Sequence, residues 1–118
     1  MPRKPAVIKL VNLEDGMPTV ERARLLLEHE LSKAREEGCK AMKVVHGYGS
    51  SGVGGELRTG LQAVLRLLAE KGEIRAVIYG EDWRVSDQAT WDTLKRYPEW
   101  KSDRDLGRGN KGISIVIL

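Results

Sequence analysis

Val44-Val45-His46-Gly47-Tyr48-Gly49-Ser50-Ser51-Gly52-Val53-Gly54-Gly55 carries an apolar strand through a glycine-rich loop into a helix. Five of the thirteen glycines fall between positions 47 and 55, and beyond them Leu57, Leu61, Val64, Leu65 and Leu68 recur at helical spacing. A strand therefore stops here and a helix starts. Glycine lets the backbone take positive φ and approach a ligand closely, while the first turn of a helix leaves amide N–H groups unpaired. Such a loop suits an anion, most simply a phosphate. A strand-to-helix glycine turn also exists in many proteins just to pack the helix close to its sheet.

No Gly-Lys-Ser/Thr follows the loop, which excludes a nucleoside-triphosphate P-loop, and the glycine spacing is not the dinucleotide fingerprint. Phosphodiester backbone is then the leading ligand. His46, one of two histidines, stands at the strand end, placed to hydrogen-bond a phosphate or to move a proton. Either role requires the imidazole to be open to solvent and the loop amides to be free. Tyr48 either stacks on a base or covers the loop, and Val53 reads as a packing residue.

The 118 residues suffice for one core, and a single domain over 1–118 is expected. With 41% hydrophobic and 31% charged residues, the composition is that of a soluble globular protein, with no apolar run long enough to cross a bilayer. Met1-Pro-Arg-Lys-Pro5 is basic but lacks the apolar segment of a secretory signal, so the expected compartment is the cytoplasm and no membrane partner is expected. Cys39 is the lone cysteine, which excludes an internal disulfide and a zinc site of usual spacing; it reads as a filler beside the second strand. A formal charge of +3 mildly favours a polyanionic partner.

In chain order, Ala6–Val11 reads as a first strand and residues 12–16 as a turn. Thr19 is a helix N-cap, Val20, Ala23, Leu27, Leu31 and Ala34 form one apolar face, and Gly38 closes the helix, with His29 on its solvated side. Ala41–His46 is the second strand, parallel to the first across a right-handed crossover. His46 thus lies at a carboxyl end, the edge where loops and helix N-termini converge in open α/β sheets. A helix over Gly55–Lys71, a strand over Ile74–Tyr79 and a last strand over Ile113–Leu118 complete the order.

Between the last two strands runs a long polar insertion, about 80–112, holding Trp83, Trp91 and Trp100. Ser86-Asp87-Gln88 reads as a helix start and Pro98 as its stop. The segment either works as an arm, its aromatics stacking on bases and Arg84, Lys95, Arg96, Lys101, Arg104 and Arg108 tracking phosphates, or is pinned to the body by its tryptophans. Its acids nearly cancel its bases, which favours pinning.

His46-Gly47-Tyr48-Gly49, the glycines to Gly55 and Leu57-Arg58 resemble the HGxG loop and following helix of the Smr (small MutS-related) domain family. Gly16 with Thr19-Val20-Glu21 and Ala23 resembles that family's first-helix opening, and Gly109-Asn110-Lys111-Gly112-Ile113-Ser114-Ile115-Val116 its final turn and strand. The resemblance, which covers nearly the whole chain apart from the Trp-containing insertion, implies a βαβαββ, α+β two-layer sandwich with a mixed four-stranded sheet and two main helices, to which this chain adds the long insertion before its last strand. It implies a nucleic-acid partner, DNA or RNA, and in several members DNA nicking or RNA cleavage.

On that basis His46 is the candidate catalytic residue, and Gly47, Tyr48, Gly49, Ser50, Ser51, Gly52, Gly54, Gly55 and Arg58 are the candidate phosphate-binding residues. No cofactor is expected, although a divalent metal at Glu14 or Asp15 is conceivable. One departure stands out. The family's Leu-Asp-x-His motif is replaced by Lys9-Leu10-Val11-Asn12-Leu13-Glu14-Asp15-Gly16, without the histidine. Three functions follow: a nucleic-acid-binding endonuclease, a nucleic-acid binder without the chemistry, and a protein-interaction adaptor docking through its tryptophans.

Overall fold

The structure, a computed structural model, describes residues 8–16, 18–47 and 52–118, with 52–54 as backbone only. Four strands, β1 (Ile8–Asn12), β2 (Ala41–Val45), β3 (Ala76–Tyr79) and β4 (Ile113–Ile117), form one sheet in the order β1-β2-β4-β3. β1 and β2 are parallel, with Val11 opposite Val44, and β4 runs antiparallel to both β2 and β3. The mixed four-stranded α+β fold is thus the one expected. The part of the expected first strand at Ala6 and Val7 lies outside the described residues.

Helix α1 (Val20–Glu36) starts where the sequence places it, with Thr19 Oγ1 accepting from Arg22 N at 3.2 Å. Helix α2 (Gly52–Glu70) begins three residues before the expected Gly55, its glycine-rich first turn carried by the packing of Leu57, Leu61 and Leu65 further along. Glycine costs only about 1 kcal/mol per helical position, less than such burial returns. At Gly60 the two helices come so close that an added Cβ would fall 2.5 Å from Val20 Cγ1.

Alternation along the strands sorts side chains to two faces. Val11, Met42, Val44 and Val116 meet Ala23, Leu27, Leu31, Leu57, Leu61 and Leu65 of α1 and α2, and buried Cys39 packs in this core as expected. Ala41, Ile78, Ile113, Ile115 and Ile117 face the other way, onto Trp83, Leu94 and Trp100 of the insertion. Every residue of β4 is buried, because both of its faces are covered.

The insertion contains a third helix, α3 (Gln88–Arg96), flanked by 3-10 turns at Gly80–Asp82 and Pro98–Ser102. Asp87 caps α3 by accepting from Thr90 N at 3.0 Å, so the start and the stop lie where the sequence puts them. Trp83 and Trp100 are buried against each other edge to face, centroids 5.2 Å apart, and do pin the segment; Trp91 stays 47% exposed. A buried ion pair adds to the pin. Lys43, on the insertion side of β2, binds Asp103 Oδ1 at 2.9 Å and also Asp105, while Trp83 Nε1 donates to Asp103 Oδ2 at 3.0 Å. Among the described residues no helix is long and apolar enough to cross a membrane.

Candidate nucleic-acid interface

The three parallel strands deliver their carboxyl ends to one edge, and the site is built there. Leu13 N extends the β1–β2 ladder by donating to Val45 O at 2.8 Å. Just beyond, the Asn12 side chain accepts from Glu14 N and Asp15 N at 2.9 and 3.1 Å and turns the chain over the end of β2. The turn brings Glu14 against the loop: a Cβ on Gly47 would collide with its carboxylate. Gly47 also has φ +72°, a conformation that side chains other than glycine rarely adopt.

His46 is fully buried. Two residues past Val44, which pairs with Ser114, its ring turns to the helix side of the sheet. Nδ1 lies 2.8 Å from Gly47 O and Nε2 2.9 Å from Ser114 Oγ. A carbonyl only accepts, so Nδ1 carries a proton; burial disfavours a second one, and Nε2 accepts from the Ser114 hydroxyl. That is the neutral imidazole. Burial, reinforced by the Arg58 charge, pushes the His46 pKa below its ordinary value, while the Gly47 hydrogen bond and the Glu81 and Glu14 charges oppose the shift.

The loop backbone is tied down on the same side. His46 N and Gly47 N both donate to Gly112 O, at 2.9 and 3.0 Å, and Gly112 N donates to Asn110 Oδ1 at 2.8 Å. The Gly47 amide therefore already has an acceptor. Tyr48, Gly49, Ser50 and Ser51 lie outside the described residues. Gly52 and Gly54 fall in the first turn of α2, where N–H groups have no acceptor within the helix, and Gly55 follows. Arg58 Nη2 donates to Glu81 Oε2 at 2.7 Å, and Arg58 Nε and Glu81 Oε1 are buried with no partner among the described residues.

Thus the edge collects Glu14, His46, Gly47, the start of α2, Arg58 and Glu81. Ser114 and Glu81 were not read as site residues, although Ser114 is conspicuous as the single polar side chain in Ile-Ser-Ile-Val-Ile. Among the described residues, no group of three or more His, Cys, Asp or Glu is arranged to hold a metal ion.

Residues 15–82, which span α1, the glycine loop, α2 and β3, match the family model described as the Smr domain. The chain belongs to the Smr domain family. Smr domains are associated with nucleic-acid binding. The crystal structure of the Smr domain of Thermus thermophilus MutS2 superposes with a TM-score of 0.57 at 21% identity, covering 93% of this chain and 96% of that one, a likeness of fold. No curated protein matches. In this Smr domain the family model ends at Asp82, before most of the insertion and β4.

Proposed function

We propose that this Smr domain binds nucleic acid at the carboxyl edge of its parallel strands and that His46 builds the binding site without transferring protons. Family membership across residues 15–82, loop included, carries the first part. The donors available there are the first-turn amides of α2, backed by its dipole, which together favour a phosphate oxygen. The second part rests on the imidazole being fully buried, with both nitrogens engaged. A general base must reach the proton it takes. Here that requires breaking the Ser114 or Gly47 contact first.

Phosphodiester cleavage is the second reading, and what favours it is Glu14, a carboxylate set directly beside Gly47. Labelled single-stranded and duplex DNA and RNA, incubated with the protein with and without magnesium or manganese, separate the two. Binding that weakens as salt rises, with every strand left intact, is the expected result. Cleavage that disappears in a folded His46→Ala variant would overturn the assignment of His46 to architecture.

A further inference from the structure

Residues 80–112 carry seven lysines and arginines and seven aspartates and glutamates, so their formal charge is zero. The fold sorts these charges by depth. All seven cations are exposed, whereas among the acids only Asp92 is. Four of the other six are held inward, Asp103 and Asp105 by Lys43, Glu81 by Arg58, and Asp87 by the first turn of α3, while Asp82 and Glu99 are half-buried. Of the seven cations, Lys95 alone has an ion-pair partner among the described residues, Asp92 at 3.8 Å. The outside of the insertion is therefore positive.

Backbone hydrogen bonds join the segments that carry four of these cations, beginning beside Gly47. Lys111 precedes Gly112, whose carbonyl holds His46 N and Gly47 N. Arg108 follows Gly107, whose N–H donates to Trp83 O at 2.8 Å. Arg84 follows Trp83, and its carbonyl takes Asp87 N at 2.9 Å where α3 begins. One turn into α3 stands Trp91, 47% exposed, with Lys95 a further turn along the same face. On the opposite flank of Gly47 lie two exposed acids, Glu14 and Asp15. A polyanion at this edge is repelled from the β1 side and drawn toward the insertion.

We infer that single-stranded nucleic acid runs from the start of α2 across the insertion, its phosphates on Lys111, Arg108, Arg84 and Lys95 and an unpaired base stacked on Trp91. This rests on the nucleic-acid reading above and adds the kind of strand and its path. Stacking on an exposed indole needs a base free of its own partner, which a duplex does not offer. RNA and DNA share the chemistry.

Fluorescence anisotropy with short labelled single strands of DNA and RNA, and with a duplex, over a salt series tests the path. The variants are Arg84→Glu with Arg108→Glu and Lys111→Glu; Trp91→Ala; and a charge-matched control at the opposite edge of the sheet, Lys33→Glu with Lys40→Glu and Lys71→Glu. Circular dichroism verifies folding. The insertion triple variant is expected to flatten the log Kd against log salt slope by about 2, at ~0.7 per lost phosphate contact, with the control near the unaltered protein. Trp91→Ala is expected to weaken single-strand binding roughly tenfold and to leave the duplex unaffected. No binding by the unaltered chain overturns the nucleic-acid reading itself. Binding that the insertion triple leaves unchanged, or duplex binding as tight as single-strand binding, overturns only the path.

Discussion

His46 shows how one residue's place in the chain and its place in space give different chemistry. Its position at a strand end before glycines is legible in the sequence. Its burial is not, because that depends on Ser114, 68 residues away, offering a hydroxyl from β4. Removing that hydroxyl by Ser114→Ala leaves Nε2 buried without a partner, and a loss of about 1–3 kcal/mol is expected in urea unfolding. Gly47→Ala places a side chain at positive φ, with the exposed Glu14 carboxylate able to swing aside, and should cost about 1–3 kcal/mol by the same measurement.

The imidazole also predicts a pH dependence. Its folded-state pKa lies below the ordinary 6.5, so the unfolded chain takes up the proton first. Stability from this group is full above about pH 6.5 and is lost as pH falls from there toward the folded value. The thermal midpoint of the unaltered protein should decline across that interval. In His46→Gln the midpoint should start lower at neutral pH and stay flatter.

At the scale of elements, the helix boundaries set by side chains were readable: Thr19 and Asp87 as caps, and Pro98 as a stop. The start of α2 was less so, since its glycines carry no periodic signal. The pin between β2 and the insertion had a visible sign in Lys43, the lone charge of Ala-Met-Lys-Val-Val, but its partners Asp103 and Asp105 are some sixty residues on. Lys43→Ala strands two nearly buried carboxylates and should cost about 3–5 kcal/mol, whereas Lys43→Met together with Asp103→Asn and Asp105→Asn should cost much less. Burial alone would raise the Asp105 pKa, yet hydrogen bonds from Lys43 and Asn110 hold it below its ordinary 3.8. Its contribution is therefore present above that value and disappears as pH falls below it.

Across the whole molecule, the order of elements followed from apolar periodicity and the mixed sheet from the family resemblance, while the strand order β1-β2-β4-β3 is set by pairings between distant segments that no local pattern carries. The charge pattern did not. Counting signs along residues 80–112 suggests cancellation, because a count has no depth, while folding turns four of the seven acids inward to Lys43, Arg58 and the α3 cap and leaves the cations outside. The resulting surface has an acidic flank at Glu14 and Asp15 and a basic flank on the insertion, with the start of α2 between them. Titration of the 15N-labelled protein with a short single-stranded oligonucleotide, read by backbone amide shifts, tests this arrangement most directly. Shifts are predicted at residues 52–55, 83–84 and 107–112, absent around Lys33, Lys40 and Lys71 and fading as salt is raised; no shifts at low salt, or shifts centred on that opposite edge, would contradict it.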